Sequence, residues 1–157
     1  MTPPLRISAY QPDIAQNLGA MIRLAACFAT PLDVIEPCGF PLSLKALRRT
    51  AMDYADVADI TRHDDWSAFQ RNRPAGRLIL LTTNGARPLW ETGFQPGDTL
   101  LMGRESAGVP PQVHAAADLR VAIPINPRAR SLNLATAAAI ALAEAHRQLR
   151  QSRPRLL

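Results

Sequence analysis

Three stretches of this sequence set reactive or ligand-binding side chains beside glycines and prolines that free or fix the main chain. In the first, Tyr10 to Arg23, Asn17 is followed by Gly19 and then Arg23. Asn17 supplies an amide that both donates and accepts, and Arg23 a permanently charged fork suited to phosphate or a developing oxyanion. In the second, Gly103-Arg-Glu105-Ser-Ala-Gly108-Val-Pro110, a carboxylate lies between two glycines. In the third, Ile123-Pro-Ile-Asn-Pro-Arg128-Ala-Arg130-Ser131-Leu132-Asn133, two prolines hold an extended path and two arginines lead into a hydroxyl and an amide. Cations beside an electropositive helix start suit an anion or phosphate. Each stretch also has a plainer reading: Asn17 and Ser131 as helix caps, Arg23 as a surface arginine, Glu105 as a solvated loop charge. Asn133 fits the plainer reading least well, because asparagine is a mediocre helix former in a first turn.

The elements that would position these stretches alternate. Leu5 to Tyr10 reads as a buried strand, and Gln16 to Ala29 as a helix with Leu18, Ile22 and Ala25 on one face, stopped by Pro31. Leu32 to Ile35 is a second strand. Ser43 caps a short helix over Leu44 to Arg49, Tyr54 to Ile60 is irregular or a short strand, and Asp64 or Asp65 caps a helix through Trp66 and Phe69. Arg77 to Thr83, Thr99 to Met102 and Leu119 to Ile123 are further strands, continuous and apolar as in a sheet covered on both faces. A helix starting near Pro110 and Pro111 contains Val113 to Ala117, and a long alanine-rich helix runs from Leu132 to about Arg150. Such alternation predicts an α/β fold with a mainly parallel sheet and helices on both faces.

The 157 residues suit a single domain, with no linker, repeat or low-complexity block. The net charge is +5, with 18 Lys+Arg against 13 Asp+Glu. Residues 1–118 carry 11 basic and 12 acidic side chains, and residues 119–157 carry seven arginines against Glu144 alone, so the excess is C-terminal. Cys27 and Cys38 form no CxxC pair and His63, His114 and His146 are scattered, which argues against a disulfide scaffold or a metal site. The longest apolar run free of charge, Leu134 to Ala143, is about half of a membrane span, and residues 1–6 lack a signal-peptide core; a cytoplasmic protein is expected. The glycines match neither GxGxxG nor a P-loop, which weakens a dehydrogenase or nucleoside-triphosphate enzyme.

Taken in order, Asn17-x-Gly19-x-x-x-Arg23, Gly103-x-Glu105-x-x-Gly108 and Ile123-Pro124 with Ser131-Leu132-Asn133-Leu134 resemble the three motifs of the SPOUT superfamily of RNA methyltransferases. The likeness is nearest to the TrmL-type tRNA 2′-O-methyltransferases of the wobble nucleotide. It continues through Ile35-Glu-Pro-x-Gly-Phe40, Leu47-Arg-Arg49 with Asp53-Tyr54, Thr61-Arg-His63 and Glu144-Ala145-x-Arg147-Gln148. Ala107 and Ala135 depart from the arginine and serine expected in relatives. The resemblance implies one trefoil-knotted domain over residues 1–157 with no added RNA-binding domain, S-adenosylmethionine as cofactor, tRNA as partner and a homodimer whose active site uses both subunits. It places Leu81, Thr82, Gly103, Glu105, Ile123, Ser131 and Leu132 around the cofactor, and Asn17, Arg23, Ser131 and Asn133 at methyl transfer.

The activity implied is 2′-O-methylation of a wobble cytidine or uridine. The alternatives are another tRNA or rRNA ribose, or a catalytically silent knotted RNA-binding module. Arg23 is described in such enzymes as a general base; its permanent charge suits it better to steadying the alkoxide or the adjoining phosphate. Arg48, Arg49, Arg128 and Arg130 are the candidates for RNA phosphates, followed by Lys45 and the tail arginines Arg147, Arg150, Arg153 and Arg155. The tail also reads as a solvated helix end with cations at its negative pole.

Overall fold

The computed structural model describes residues 4–84 and 86–151. Arg153 and Arg155 lie outside them. Seven strands, β1 (Arg6–Tyr10), β2 (Leu32–Ile35), β3 (Ile60–His63), β4 (Leu78–Leu81), β5 (Arg87–Pro88), β6 (Thr99–Met102) and β7 (Leu119–Ala122), form one sheet in the order β3-β2-β1-β6-β4-β7-β5. Every neighbouring pair is parallel. β2 and β6 are buried at every residue, which is why, Asp33 and Thr99 apart, their sequences run apolar without alternation.

Among the described residues there are six α-helices, five between strands and the last after β7: α1 (Ala15–Cys27), α2 (Leu44–Ala51), α3 (Tyr54–Val57), α4 (Trp66–Asn72), α5 (Pro111–Ala116) and α6 (Leu134–Gln151). On one face of the sheet, Leu18, Met21, Ile22 and Ala25 of α1 pack in the same core as Ala138, Ala141, Leu142 and Ala145 of α6. On the other, Phe69 of α4 and Val113 of α5 pack over Tyr10, Ile35, Leu78, Leu80 and Leu101. Helices thus cover both faces. α1 and α2 approach so closely at Gly19 that an added Cβ would lie 2.6 Å from the Thr50 carbonyl oxygen.

Several local expectations change. In the stretch Tyr54 to Ile60, expected as irregular or a short strand, the residues Tyr54–Val57 form α3 instead, Ala58 and Asp59 are irregular, and the strand begins only at Ile60. β5 is two residues long, followed by a 3-10 turn at Leu89–Glu91, too short for any periodicity to show. The strand expected over Arg77 to Thr83 is trimmed to Leu78–Leu81. α1 begins after Ile14, so Asn17 is inside the helix and does not cap it. α6 begins at Leu134, and its cap is Asn133, not Ser131: the Asn133 Oδ1 accepts from the Thr136 backbone N–H at 3.1 Å.

One buried polar group was not anticipated. Asp33, in the middle of the sheet, accepts both Nε and Nη2 of Arg6 at 3.0 and 3.1 Å, and its Oδ1 lies 2.8 Å from His63 Nε2. These bonds tie β1, β2 and β3 together across one face and satisfy a carboxylate that burial would otherwise penalise.

The strand order places the ends that matter. After β3 the chain crosses to the other side of β1, leaving a gap that β6 later fills, which makes a topological switch of the kind where open parallel sheets bind ligands beyond their carboxyl ends. Leu81 pairs with Met102 on one side and with Val121 on the other, so the residues after them, Thr82, Gly103 and Ala122, emerge together, with Ile123 one residue further on.

Candidate active site

Leu81, Met102 and Val121 stand abreast at the strand ends and line a narrow slot of about 130 Å³, with Ile123, Ile125 and Leu132 on the returning chain. The slot is almost wholly apolar. It shares Leu81, Thr82, Thr83, Ser131, Leu132 and Leu134 with a wider polar cleft of about 510 Å³ to which Asn17, Gly103, Glu105 and Asn133 contribute.

A hydrogen-bond chain crosses the cleft. Because the Asn133 Oδ1 caps α6, its amide nitrogen must face the other way, and it donates to the Asn17 Oδ1 at 2.9 Å. With its oxygen so engaged, Asn17 donates through Nδ2 to the Glu105 Oε1 at 3.3 Å. The second Glu105 oxygen accepts from the Asp13 backbone N–H at 2.9 Å. Both carboxylate oxygens therefore have partners, and each amide has one orientation. The chain links the start of α1, the β6–α5 loop and the start of α6, which are the three stretches singled out in the sequence.

The β6–α5 loop is closed on itself by reciprocal backbone bonds between Arg104 and Gly108, at 2.8 and 2.9 Å. An added Cβ at Gly103 would meet the Gly108 backbone at 2.9 Å. Gly103 does line the cleft, but its own loop rather than a ligand is the first thing a side chain there would strike. Asp13, missed in the sequence because a lone aspartate between Pro12 and Ile14 carries no signal, anchors this loop: its carboxylate accepts from the Ser106 hydroxyl and lies 3.8 Å from Arg104. Pairing with the Glu105 carboxyl and the Ser106 hydroxyl holds Asp13 down to about 2, whereas burial and then Asp13 raise Glu105 above the usual range. Of the two, Glu105 takes up a proton first.

The other candidates divide. Leu81, Thr82, Gly103, Glu105, Ser131, Leu132, Asn17 and Asn133 all line the cleft, and Ile123 the slot. Ser131 is exposed, and its hydroxyl makes no bond among the described residues. Arg23 is not with them: it is exposed on α1, its guanidinium 5.0 Å from the centre of the Tyr54 ring. Arg128 and Arg130 are exposed in the turn before α6, which Asn126 organises by accepting the Arg128 backbone N–H at 3.0 Å. On α2, Arg48 is paired with Asp56 at 3.1 Å, while Arg49 has no ion pair among the described residues.

Residues 4–143 match the model of the SpoU rRNA methylase family. The chain belongs to that family. Among SpoU-family relatives it is 50% identical over 145 residues to the tRNA (cytidine(34)-2′-O)-methyltransferase of Beijerinckia indica, covering 91% of each chain. It is 40% identical over 147 residues to the enzyme of the same name from Escherichia coli K12, covering 92% of this chain and 94% of that one. A solved structure concerned with 2-OH methylation of C/U34 on tRNA superposes with a TM-score of 0.88 at 41% identity, over 95% of this chain and 98% of the other. An AdoMet-bound rRNA methyltransferase from Sinorhizobium meliloti gives a TM-score of 0.84 at 29% identity, over 95% of this chain and 58% of the other. The three motif segments all fall inside the span that matches the SpoU model. Among the described residues no helix is long and apolar enough to cross a membrane.

Proposed function

We propose that this protein is an S-adenosylmethionine-dependent tRNA 2′-O-methyltransferase acting on the ribose of the wobble nucleotide, cytidine or uridine 34. The observation that carries the reading is the Glu105–Asn17–Asn133 chain held beside the unpartnered Ser131 hydroxyl at the mouth of an apolar slot. The naming of the 50% and 40% identical relatives supports the choice of nucleotide.

The slot and cleft suit S-adenosylmethionine: an apolar crevice at the strand ends for a heterocycle, and beside it a polar space for a charged amino-acid portion. Leu81, Ile123 and Leu132 would hold the adenosine, and Thr82, Gly103 and Ser131 would face the rest. When bound, the cofactor supplies a methyl group activated on a sulfonium. The chain's own work is positioning. Asn133, with its oxygen committed to α6, and Asn17, with its amide committed to Glu105, keep the floor of the cleft rigid, so that little reorganisation is needed when a ribose arrives. Ser131 can take the 2′-hydroxyl proton and pass it to water. Arg23 lies outside the cleft of its own chain, which supports a homodimer in which Arg23 of a second copy reaches the 2′-oxygen or its phosphate.

Two measurements test this. Calorimetry is expected to show S-adenosylmethionine binding to the isolated protein; no binding under native conditions sinks the reading. Ribose-methylation mapping in tRNA from cells with and without the protein is expected to lose the signal at the wobble position alone. Loss at another tRNA or rRNA ribose instead would move the target without changing the chemistry.

A further inference from the structure

A second cleft, of about 360 Å³, lies on the other side of the α1 start. The half-buried Phe40, with Pro41 and Ala15, lines it together with Lys45, Arg49 and Thr50 of α2. Ile14 lines the polar cleft and Ala15 lines this one, so the two clefts meet at consecutive residues of the chain. Among the described residues Lys45 and Arg49 make no ion pair, unlike Arg48 beside them, and a further basic hollow along Lys45, Arg48 and Arg49 continues the surface. Uncommitted cations beside an aromatic, apolar wall are the combination that holds single-stranded nucleic acid: phosphate on the charges, base against the ring. A ribose placed in the polar cleft would put the next nucleotide of its strand over Ile14 and at this hollow.

We propose that the α1–α2 cleft is a subsite for a nucleotide directly adjoining the methylated one, its base against Phe40 and Pro41 and its phosphate on Lys45 and Arg49. This rests on the reading of the chain as an RNA 2′-O-methyltransferase. The subsite contributes to RNA affinity and to the choice of ribose, and takes no part in the transfer step.

The test uses tRNA anticodon stem-loops intact or made abasic at the nucleotide before or after the target, with the whole protein. For the wild type, one of the two abasic RNAs is expected to raise KM about tenfold, the scale of one stacked base, with kcat nearly unchanged. In Ala46→Trp, which fills the cleft, and in Lys45→Ala/Arg49→Ala, intact RNA should already show the raised KM and the abasic penalty should shrink. S-adenosylmethionine affinity should stay at the wild-type value in both, which reports an intact fold, and Arg71→Ala on α4 should behave as wild type. If both abasic RNAs match intact RNA, or the penalty is undiminished in both cleft variants, the subsite is refuted while the methyltransferase reading stands. If the wild type binds cofactor yet methylates no RNA, that reading fails and the subsite falls with it.

Discussion

Glu105 shows how much one side chain is asked to do. Its two oxygens accept from Asp13 and from Asn17, and a glutamine offers one acceptor and one donor in their place. Glu105→Gln therefore sets an amide N–H against one of two existing donors, or forces Asn17 to turn over and break its bond to Asn133. The expected cost is about 1–3 kcal/mol, a fall of about ten- to a hundredfold in kcat/KM, with the protein still folded; turnover assays beside a thermal melt measure it. Asn17, Glu105 and Asn133 were legible as residue types, although a helix cap explained Asn17 and a solvated loop charge explained Glu105 equally well, and only Asn133 fitted the plainer reading poorly. Their mutual contacts were not legible, because they join residues 88 and 116 positions apart. Asp13 carried no signal of its own, and only its neighbours in space show its purpose.

At the level of elements, two interfaces carry separable predictions. Gly19 brings α1 against α2, and Gly19→Val would push a branched side chain into the Thr50 carbonyl. The helices must part, at a cost of about 1–3 kcal/mol in a denaturant titration, with RNA affinity falling alongside because α2 carries Lys45 and Arg49. On α6, Arg147 and then Gln148 hold the Glu144 carboxyl down to about 2. Gln148 also reaches Thr92 and Phe94, tying α6 to the loop before β6. A depressed carboxyl contributes stability above its unfolded value of 4.5 and loses it as the pH falls from there toward 2. The stability gap between wild type and Glu144→Gln is thus expected to be widest near neutral pH and to close below pH 4.5; a gap independent of pH would contradict the pairing. The Glu144-x-x-Arg147-Gln148 spacing was visible in the sequence, whereas the loop that Gln148 reaches was not.

For the whole molecule, Arg23 and the C-terminal charge are the tests. If Arg23 serves the cleft of a second copy, Arg23→Ala and Asn133→Ala chains, each inactive alone, form mixed dimers with one intact site. A two-fold dimer mixed at random should regain about a quarter of wild-type activity, and no recovery after co-refolding would rule out a role for Arg23 in the second copy's cleft. The exposed Arg128 and Arg130 stand directly before the Ser131 to Asn133 segment. Their double alanine variant is expected to lower the salt dependence of tRNA binding by about one to two phosphate contacts, read as the slope of log affinity against log salt. An unchanged slope removes them from the RNA footprint.

The sequence by itself determined the alternation of buried strands and amphipathic helices, the three motif segments and the C-terminal excess of arginine, because these depend on local periodicity and on charge counted along the chain. Only the tertiary structure decided that Asn133 and not Ser131 caps α6, that Asn17 sits inside α1 and faces Glu105, and that Arg23 stands apart from the cleft. The reason is physical: a side-chain amide can be satisfied by any suitable partner within reach, and which partners distant in sequence come within reach is set by the strand order. The Asn133 nitrogen facing Asn17 is what leaves its oxygen for the α6 cap. Here β6 enters between β1 and β4, and that insertion brings Glu105 to Asn17.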